Sequence, residues 1–238
     1  MYKVSVPLMS HHVKRMGRDK LVKELKTLDA QRVFLAISQY IISKEERKAE
    51  MEALRENCAF FKAKGFEVGA WFWTFWVKEK NSFTKMKGAT GIVSRETVCP
   101  SDNAFREFAK DWIKEVASCG FDLIMFDDDF RYGFLDIGMG CVCKNHIAYM
   151  ENILGEKLDE STLAPRLLSW GKNKYRDAWL EANGYYLRLF AKEMREALDE
   201  INPNIRLGLC SCMSLWDTDG VDTVTISKIL AGKTKPFI

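Results

Sequence analysis

The sequence carries its sharpest chemical signal in the run 141–146, which reads CVCKNH. Cys141, Cys143 and His146 stand in a CxCxxH spacing. Thiolate sulfur and imidazole nitrogen are the ligands that Zn²⁺ prefers in a tetrahedral site, so we predict a structural zinc. The spacing supplies three of its ligands, and we expect Cys99, at the end of another loop, to be the fourth. Four protein ligands would leave no open position for catalysis.

Ordinary reduced thiols are the alternative, with His146 simply placed at the start of a helix. The sequence has seven cysteines, an odd number in a chain long enough to build a large core, so a disulfide framework explains them poorly. Cys58 and Cys119 lie within helical segments and are expected to be core residues. Reduced or metal-bound thiols are therefore expected.

Three adjacent carboxylates, Asp127, Asp128 and Asp129, follow a short apolar segment, and only Phe130 separates them from Arg131. Adjacent carboxylates repel one another, so at least one should have a raised pKa or a cationic partner. A carboxyl group that stays protonated near neutral pH is what a general acid needs in order to protonate a glycosidic oxygen. Arg131 could pair with the run or hold a substrate hydroxyl.

Two other interpretations of the carboxylate run remain open. Asp127 and Asp129 could bind backbone amides and cap a loop, with Asp128 in solvent. The run could also hold Mg²⁺ or Ca²⁺, which take carboxylate oxygens. A substrate role is favoured, because carboxylate runs seldom end a fully apolar strand for structural reasons alone.

Aromatic residues and a histidine are predicted near the same strand ends. Trp71 and Trp73 are two residues apart and so face the same side of a strand, which could be the barrel core or the helix layer, and core packing is expected for one of them. Aromatic faces stack on sugar rings, and we favour Trp73 as the site residue because it lies nearer the strand end. Trp216 and His11 complete the predicted substrate-binding residues; for His11 the alternative is an exposed loop histidine without a ligand.

Short apolar runs alternate with longer segments of helical period about six times, which predicts a parallel sheet with crossover helices. The predicted strands are Tyr2–Leu8, Arg32–Ser38, Phe66–Phe75, Leu123–Asp127, Ile205–Ser211 and the opening Lys235–Ile238. The predicted helices are Lys20–Asp29, Lys44–Lys64, Ala104–Ser118, Asn173–Ile201 and Val221–Leu230. Two long segments, Val77–Pro100 and Phe130–Trp170, interrupt the pattern, and the first shows no clear element.

The predicted fold class is α/β, of the (β/α)8 TIM-barrel type, with one domain over residues 1–238. Such barrels place their active sites at the carboxyl ends of the strands, where the carboxylate run lies. A closed barrel needs eight strands, whereas this sequence ends as a sixth one opens. We therefore expect a barrel truncated after about six β/α units, or one that a partner completes.

Charge and hydropathy exclude several classes of protein. The 36 basic and 33 acidic residues give a net charge of +3, spread over helix faces such as Lys44–Glu56, so no nucleic-acid partner is expected. No segment approaches the roughly 18 uncharged apolar residues that span a bilayer, and Met1–Ser10 has no long apolar region. We expect no membrane association and a cytoplasmic location.

Taken in order, the motifs resemble the middle of family 42 of the glycoside hydrolases, the zinc-cluster β-galactosidases. The segment CPSDNAFR at 99–106, the carboxylate run and the CxCxxH run follow that family's order and approximate separations. The resemblance covers about Val98–Met150 well and the rest only as barrel periodicity. It implies that Cys99, Cys141 and Cys143 bind one zinc, with His146 where the family has its last cysteine.

In that family an Asn-Glu pair at the end of the fourth strand supplies the general acid/base. Asp128 and Asp129 stand in its place, so the resemblance implies Asp129 as acid/base, one methylene shorter than the family's glutamate. The family's nucleophile ends a seventh strand, which this sequence does not contain. A retaining glycosidase needs two carboxyl groups about 5 Å apart, so we expect these residues alone to be inactive as one.

The sequence thus predicts a glycoside hydrolase-like barrel that acts on a carbohydrate with β-linked sugars and carries a structural zinc. Asp127 and Asp128 would tune the acid or bind hydroxyl groups, and a homo-oligomer is expected by analogy with similar enzymes. Two alternatives come from other classes: a noncatalytic carbohydrate-binding barrel, and a divalent-metal-dependent enzyme that uses the carboxylate run as ligands.

Overall fold

The computed structural model describes residues 3–37, 40–77, 80–132, 137–169, 171–211 and 220–238 of the chain. In chain order the described elements are β1 (Ser5–Leu8), α1 (Ser10–Met16), α2 (Arg18–Thr27), β2 (Arg32–Ala36), α3 (Lys44–Ala63), β3 (Glu67–Phe72), β4 (Lys85–Lys87), β5 (Val93–Val98), α4 (Asn103–Ala117), β6 (Leu123–Phe126), α5 (Lys144–Leu154), α6 (Glu160–Leu167), α7 (Lys174–Ile201), β7 (Arg206–Leu209) and α8 (Thr223–Ala231). Among these, no helix is both long enough and apolar enough to cross a membrane.

The main sheet has five parallel strands in the order β1-β2-β3-β6-β7. Phe34 pairs with Gly69, Gly69 with Leu123, and Leu123 with Arg206, which places these residues in one row across the sheet. The strand order follows the chain order once the β4–β5 hairpin is set aside, as in consecutive β/α units of a barrel. The predicted α/β fold with a parallel sheet is therefore confirmed; in the described residues the sheet is open, with β1 and β7 at its edges.

One face of this sheet packs against helices and holds the main core. Val68 and Phe72 of β3 and Phe126 of β6 are buried on this face. Helix α4 contributes Trp112 and helix α7 contributes Phe190 to the same cluster. Because fully burying one such apolar side chain stabilises a fold by about 1.5–3 kcal/mol, this layer fixes the positions of the strands.

The opposite face, which corresponds to the interior of a barrel, carries an aromatic ring from the end of the chain. The Phe237 ring lies 6.3 Å from the Phe34 ring, with the two planes nearly parallel. The guanidinium groups of Arg32 and Arg206 lie 5.5 and 5.1 Å from the centre of the Phe237 ring. Cation–π contacts therefore accompany the stacking that holds this ring on the sheet.

Three segments differ from the sequence prediction. Val77–Pro100 contains the antiparallel hairpin β4–β5, whose turn has a backbone hydrogen bond of 2.8 Å between Gly91 and Gly88. Phe130–Trp170 contains α5 and α6. Lys235–Ile238 is not a strand in the structure: Leu209 of β7 donates one backbone hydrogen bond of 3.2 Å to the Phe237 carbonyl, and the Phe237 ring packs on the sheet face.

A buried arginine ties the start of α4 to α7 and to the segment that follows β5. Arg106 Nε donates to Glu193 at 2.9 Å, one terminal nitrogen donates to the Pro100 carbonyl at 2.9 Å, and the other donates to Asn103 Oδ1 at 3.0 Å. Its side chain is only 9% exposed. Removing one partner of such a pair leaves the other charge poorly solvated, which is costly.

We expect Arg106→Met to lower the free energy of unfolding by about 3 kcal/mol, because Glu193 and the Pro100 carbonyl lose their donors. Lys110→Met is the matched control, since Lys110 pairs with the exposed Glu107 on the same helix and such pairs contribute less than about 1 kcal/mol. Urea unfolding of both variants measures the difference. Equal effects would show that Arg106 does not anchor this segment.

Candidate metal centre and carboxylate rim

The four predicted metal ligands come together in one buried cluster. The ligand atoms of Cys99, Cys141, Cys143 and His146 all lie within 4.8 Å of one another. Cys99 Sγ is 3.8 Å from Cys141 Sγ, 3.7 Å from Cys143 Sγ and 3.7 Å from His146 Nδ1. Cys143 Sγ is 3.3 Å from His146 Nδ1. This cluster could hold a metal ion.

These separations fit a tetrahedral ion with sulfur and nitrogen ligands. Zn–S bonds of about 2.3 Å and Zn–N bonds of about 2.05 Å set tetrahedral ligand atoms about 3.6 to 3.8 Å apart. Three of the four distances given above lie within about 0.2 Å of that range, and the shorter contact from Cys143 to His146 is below it. Softness of the donor set also favours zinc over magnesium or calcium, which take oxygen ligands.

Contacts with distant parts of the chain hold the first two ligands. Cys99 follows β5, and its backbone N–H donates to the Thr84 carbonyl at 2.8 Å. Cys141 N donates to Asn183 Oδ1 at 3.2 Å, and its carbonyl accepts from Trp179 Nε1 at 3.0 Å. Helix α7 therefore positions Cys141.

The other two ligands belong to the start of α5. Cys143 is its N-cap residue and His146 lies in its first turn, so the helix itself sets their spacing. Gly140 enters this segment with a φ of +59°, and a Cβ there would come within 2.0 Å of the Trp179 ring. The residue before the CxCxxH run must therefore be glycine for the backbone to lie this close to α7.

Polar groups around the cluster orient its ligands. Tyr132 Oη lies 3.1 Å from His146 Nε2, so that the other ring nitrogen, Nδ1, faces the cysteines. Ser101 Oγ lies 3.0 Å from Cys99 Sγ and 3.4 Å from Cys143 Sγ. Such partners commonly fix the orientation of metal ligands in proteins.

Neighbouring charges and hydrogen bonds shift the pKa values of the cluster side chains in opposite directions. Burial lowers the pKa of His146, but the charge of Cys141 and hydrogen bonds to the cysteines outweigh it and raise that pKa to about 9. Hydrogen bonds from Cys141 and Cys99 hold the pKa of Cys143 well below its usual range. Burial raises the pKa of Cys99. A metal ion would displace the protons that these groups share.

The carboxylate run divides into groups with different surroundings. The Asp129 carboxylate is buried, at 3% exposure, and accepts backbone hydrogen bonds from Thr74 at 2.8 Å, Phe75 at 2.8 Å and Trp76 at 3.1 Å. It therefore joins the end of β6 to the segment that follows β3. Burial raises its pKa to about 6, although the amide donors oppose the shift.

Asp127 continues the alternation of β6 and lies on the same side as Met125, opposite the core residue Phe126. This is the interior side, at the carboxyl end of the sheet, which we call the rim. Asp127 Oδ1 accepts from the N–H of Asp128 at 2.8 Å, and burial raises the pKa of Asp127. Arg131 Nε donates to the carbonyl of Asp128 at 3.0 Å.

In the described part of the chain the aspartates do not form a converging group of possible metal ligands, whereas the cysteine–histidine cluster does. The Asp129 oxygens are directed to backbone amides. Nothing in this geometry supports the alternative of a divalent-metal enzyme built on Asp127–Asp129.

Two predicted substrate-binding residues share one cavity. Trp73 and His11 both line a cavity of about 300 Å³ at the ends of the first strands. Trp73 also stacks on Trp76, with ring centres 4.8 Å apart and planes 8° apart, and the Trp76 indole N–H donates to Glu96. His11 lies in helix α1 and not in a loop. The predicted Trp216 lies outside the described residues.

Several contributing residues were not found by sequence reasoning. Tyr132 and Ser101 contact the candidate metal ligands, and Lys14 lines the cavity with His11. Lys14 follows His11 by three residues, the helical spacing that brings two side chains to one face. That signal was readable once α1 was known to be a helix.

The structure is similar to solved TIM-barrel glycoside hydrolases at low sequence identity. A β-galactosidase from the psychrophilic Marinomonas ef1 superposes with a TM-score of 0.71 at 14% identity, covering 97% of this chain and 40% of that one. For a β-galactosidase from the haloarchaeon Halorubrum lacusprofundi the TM-score is 0.70 at 13% identity, covering 96% and 39%. For the catalytic domain of a β-amylase from Paenibacillus polymyxa it is 0.59 at 12% identity, covering 87% and 65%.

These likenesses establish the fold. The chain spans about 40% of the length of the two β-galactosidases. No protein-family model and no curated protein matches the sequence. The particular family suggested by the motifs, the cytoplasmic location and the homo-oligomer all stay predictions.

We expect stability to depend on pH through Asp129. Its folded-state pKa of about 6 exceeds the value of about 3.9 for an unfolded aspartate, so the folded protein binds more protons between pH 4 and 6. The contribution of Asp129 to the free energy of unfolding should therefore be largest below pH 4 and fall by about 2 kcal/mol between pH 4 and pH 6.

The measurement compares chemical unfolding of the protein and of Asp129→Asn from pH 4 to pH 7. The free energy of unfolding of the protein minus that of Asp129→Asn should decrease, and can become negative, as pH rises through this window. Asp111→Asn, at an exposed position of α4, is the control and should give a flat difference. A flat difference for Asp129→Asn would contradict the raised pKa.

Proposed function

We propose that this chain forms the carbohydrate-binding rim of a glycoside hydrolase-like barrel that acts on β-linked sugars. One observation carries the proposal: Asp127, the first residue of the carboxylate run, follows β6 on the interior side of the rim, in a fold shared with TIM-barrel glycoside hydrolases. Active sites of such barrels lie at this end of the strands. Trp73 would supply an aromatic surface for a sugar ring there.

The geometry supports a division of roles within the run that differs from the one implied by the family resemblance. We propose Asp127 as the group that protonates a glycosidic oxygen, because it lies on the interior side and burial raises its pKa. Asp129 acts as a positioning residue, since its carboxylate already accepts three backbone amides. Asp128 and Arg131, joined through the Asp128 carbonyl, would bind hydroxyl groups.

A structural zinc at Cys99, Cys141, Cys143 and His146 completes the proposal. Zinc bound there would hold the segment after β5 against the start of α5, with all four positions filled by protein ligands. Its chemistry would be structural, because a closed tetrahedral site offers no position to a substrate. The rim would then keep its shape when a sugar binds.

A noncatalytic carbohydrate-binding barrel is the second candidate. The observation that favours it is the burial of Asp129, the residue matched to the acid/base by the family resemblance, at 3% exposure. A carboxylate held this way cannot reach a glycosidic oxygen. In this case the rim would bind sugars without turnover.

We expect the purified protein to contain one zinc per chain, measured by inductively coupled plasma mass spectrometry. Cys143→Ser should lose the metal, because a serine hydroxyl is a poor zinc ligand, and its midpoint of thermal unfolding should fall. Cys58→Ser is the control, since Cys58 is buried in α3 away from the cluster and should keep the metal. Full zinc content in Cys143→Ser would rule out this ligand set.

In a barrel that also supplies the second carboxyl group, we expect Asp127→Asn to lower kcat/KM on a β-linked disaccharide by at least about 100-fold, because the leaving sugar needs a proton donor. Binding of the unreactive methyl β-glycoside should change much less. Asp111→Asn on α4 serves as the control and should retain full turnover.

The result also separates the two candidate functions. Turnover that survives in Asp127→Asn would remove Asp127 from the mechanism. Sugar binding by calorimetry without turnover over a panel of aryl glycosides would leave the noncatalytic barrel as the function.

A further inference from the structure

The cavity that contains Trp73 extends to the other edge of the sheet and is lined by basic side chains there. Its lining residues come from α1, from the end of β2 and from the segment after β3; they are Met9, Ser10, His11, Lys14, Ala36, Ile37 and Trp73. The cavity has a volume of about 300 Å³, which is enough for one sugar ring. No acidic side chain is among its described lining residues.

Lys14 gives this cavity a positive end. The side chain is exposed, and in the described part of the chain it makes no ion pair. His11 lies one helical turn before it, on the same side of α1. Lys14 also borders a second groove, which contains Glu46 and Glu50. Among the described lining residues of the Trp73 cavity, Lys14 is the only lysine or arginine.

Charge changes sign from one side of the rim to the other. Lys14 follows β1, Trp73 follows β3, and Asp127 follows β6, and these strands lie in the order β1-β2-β3-β6. With about 4.8 Å between neighbouring strands, the basic and acidic ends are roughly 14 Å apart along the sheet. A ligand spanning them would place a negative group beside Lys14 and a neutral, protonatable oxygen beside Asp127.

The aromatic residue between these ends is held in place before any ligand binds. Trp76 covers one side of the Trp73 ring in a stack with centres 4.8 Å apart. Glu96 of the β4–β5 hairpin accepts from the Trp76 indole, and Asp129 accepts from the backbone of Trp76. A rigid aromatic surface costs little conformational entropy when a sugar stacks on it.

From this arrangement we infer that the Trp73 cavity selects an anionic sugar, whose carboxylate or sulfate group pairs with Lys14. The inference rests on the proposed carbohydrate function and adds the chemical class of the sugar. A uronic acid and a sulfated sugar present the same charge to Lys14, so both sources are included in the test. His11 contributes a hydrogen bond to the same anionic group.

The test measures binding of three probes by isothermal titration calorimetry at low salt: methyl β-glucoside, methyl β-glucuronide and glucose 6-sulfate. We expect at least one anionic probe to bind about fivefold more tightly than the neutral glucoside, the upper end of what one exposed ion pair contributes. Lys14→Gln should reduce this preference to less than about twofold while keeping neutral binding. Lys20→Gln, at an exposed position of α2, is the matched control and should keep the preference.

Each outcome has a definite meaning. Preference for the glucuronide identifies a uronic acid, and preference for the sulfate identifies a sulfated sugar; either supports the inference. Equal binding of neutral and anionic probes, or a preference that persists in Lys14→Gln, overturns it and leaves the proposed function standing. Failure of every probe to bind overturns both. Trp73→Ala should weaken all probes, and unchanged binding in that variant would place the sugar elsewhere and overturn the inference.

Discussion

The structure depends on the convergence of four side chains from separate parts of the chain, Cys99, Cys141, Cys143 and His146. Burying thiolates and an imidazolium is unfavourable unless their charges are balanced nearby. Hydrogen-bonding partners such as Tyr132 surround the cluster and offset part of this desolvation cost. A cation at the centre would remove the cost and turn the cluster into a crosslink. The segments before α4 and α5 and the packing of α7 would then move as one body.

Asp129 makes a second connection of the same kind, between backbone segments rather than side chains. Its carboxylate accepts hydrogen bonds from backbone amides after β3 and so fixes the position of that segment relative to the end of β6. Trp73 directly precedes Thr74, the first amide donor, and Asp127 lies two residues before Asp129. The relative positions of Trp73 and Asp127 therefore depend on this connection. The amide donors need an ionised carboxylate and burial disfavours one, which is why its pKa lies at about 6.

Sequence reasoning brought the four side chains of the cysteine–histidine cluster together because thiol and imidazole side chains at short spacing have few other uses. It could not separate the three aspartates, because a carboxylate that binds a sugar and one that binds amides look alike in a sequence. Asp127 keeps the alternation of its strand, whereas Asp129 turns back toward β3 after the strand has ended. The hairpin was missed since β4 has only 3 residues, too few to show a period. Lys14 was missed because its position depends on how α1 packs.

The ring of Phe237 covers part of the interior face of the sheet, where the guanidinium groups of Arg32 and Arg206 contact it. It stacks on Phe34, which lies in the same row as Gly69. Trp73 is four residues further along that strand, or about 13 Å above it. The Phe237 ring therefore covers this face of the sheet at the level of the Phe34–Gly69 row. If Trp73 contacts a sugar as proposed, that contact lies about 13 Å from the covered row.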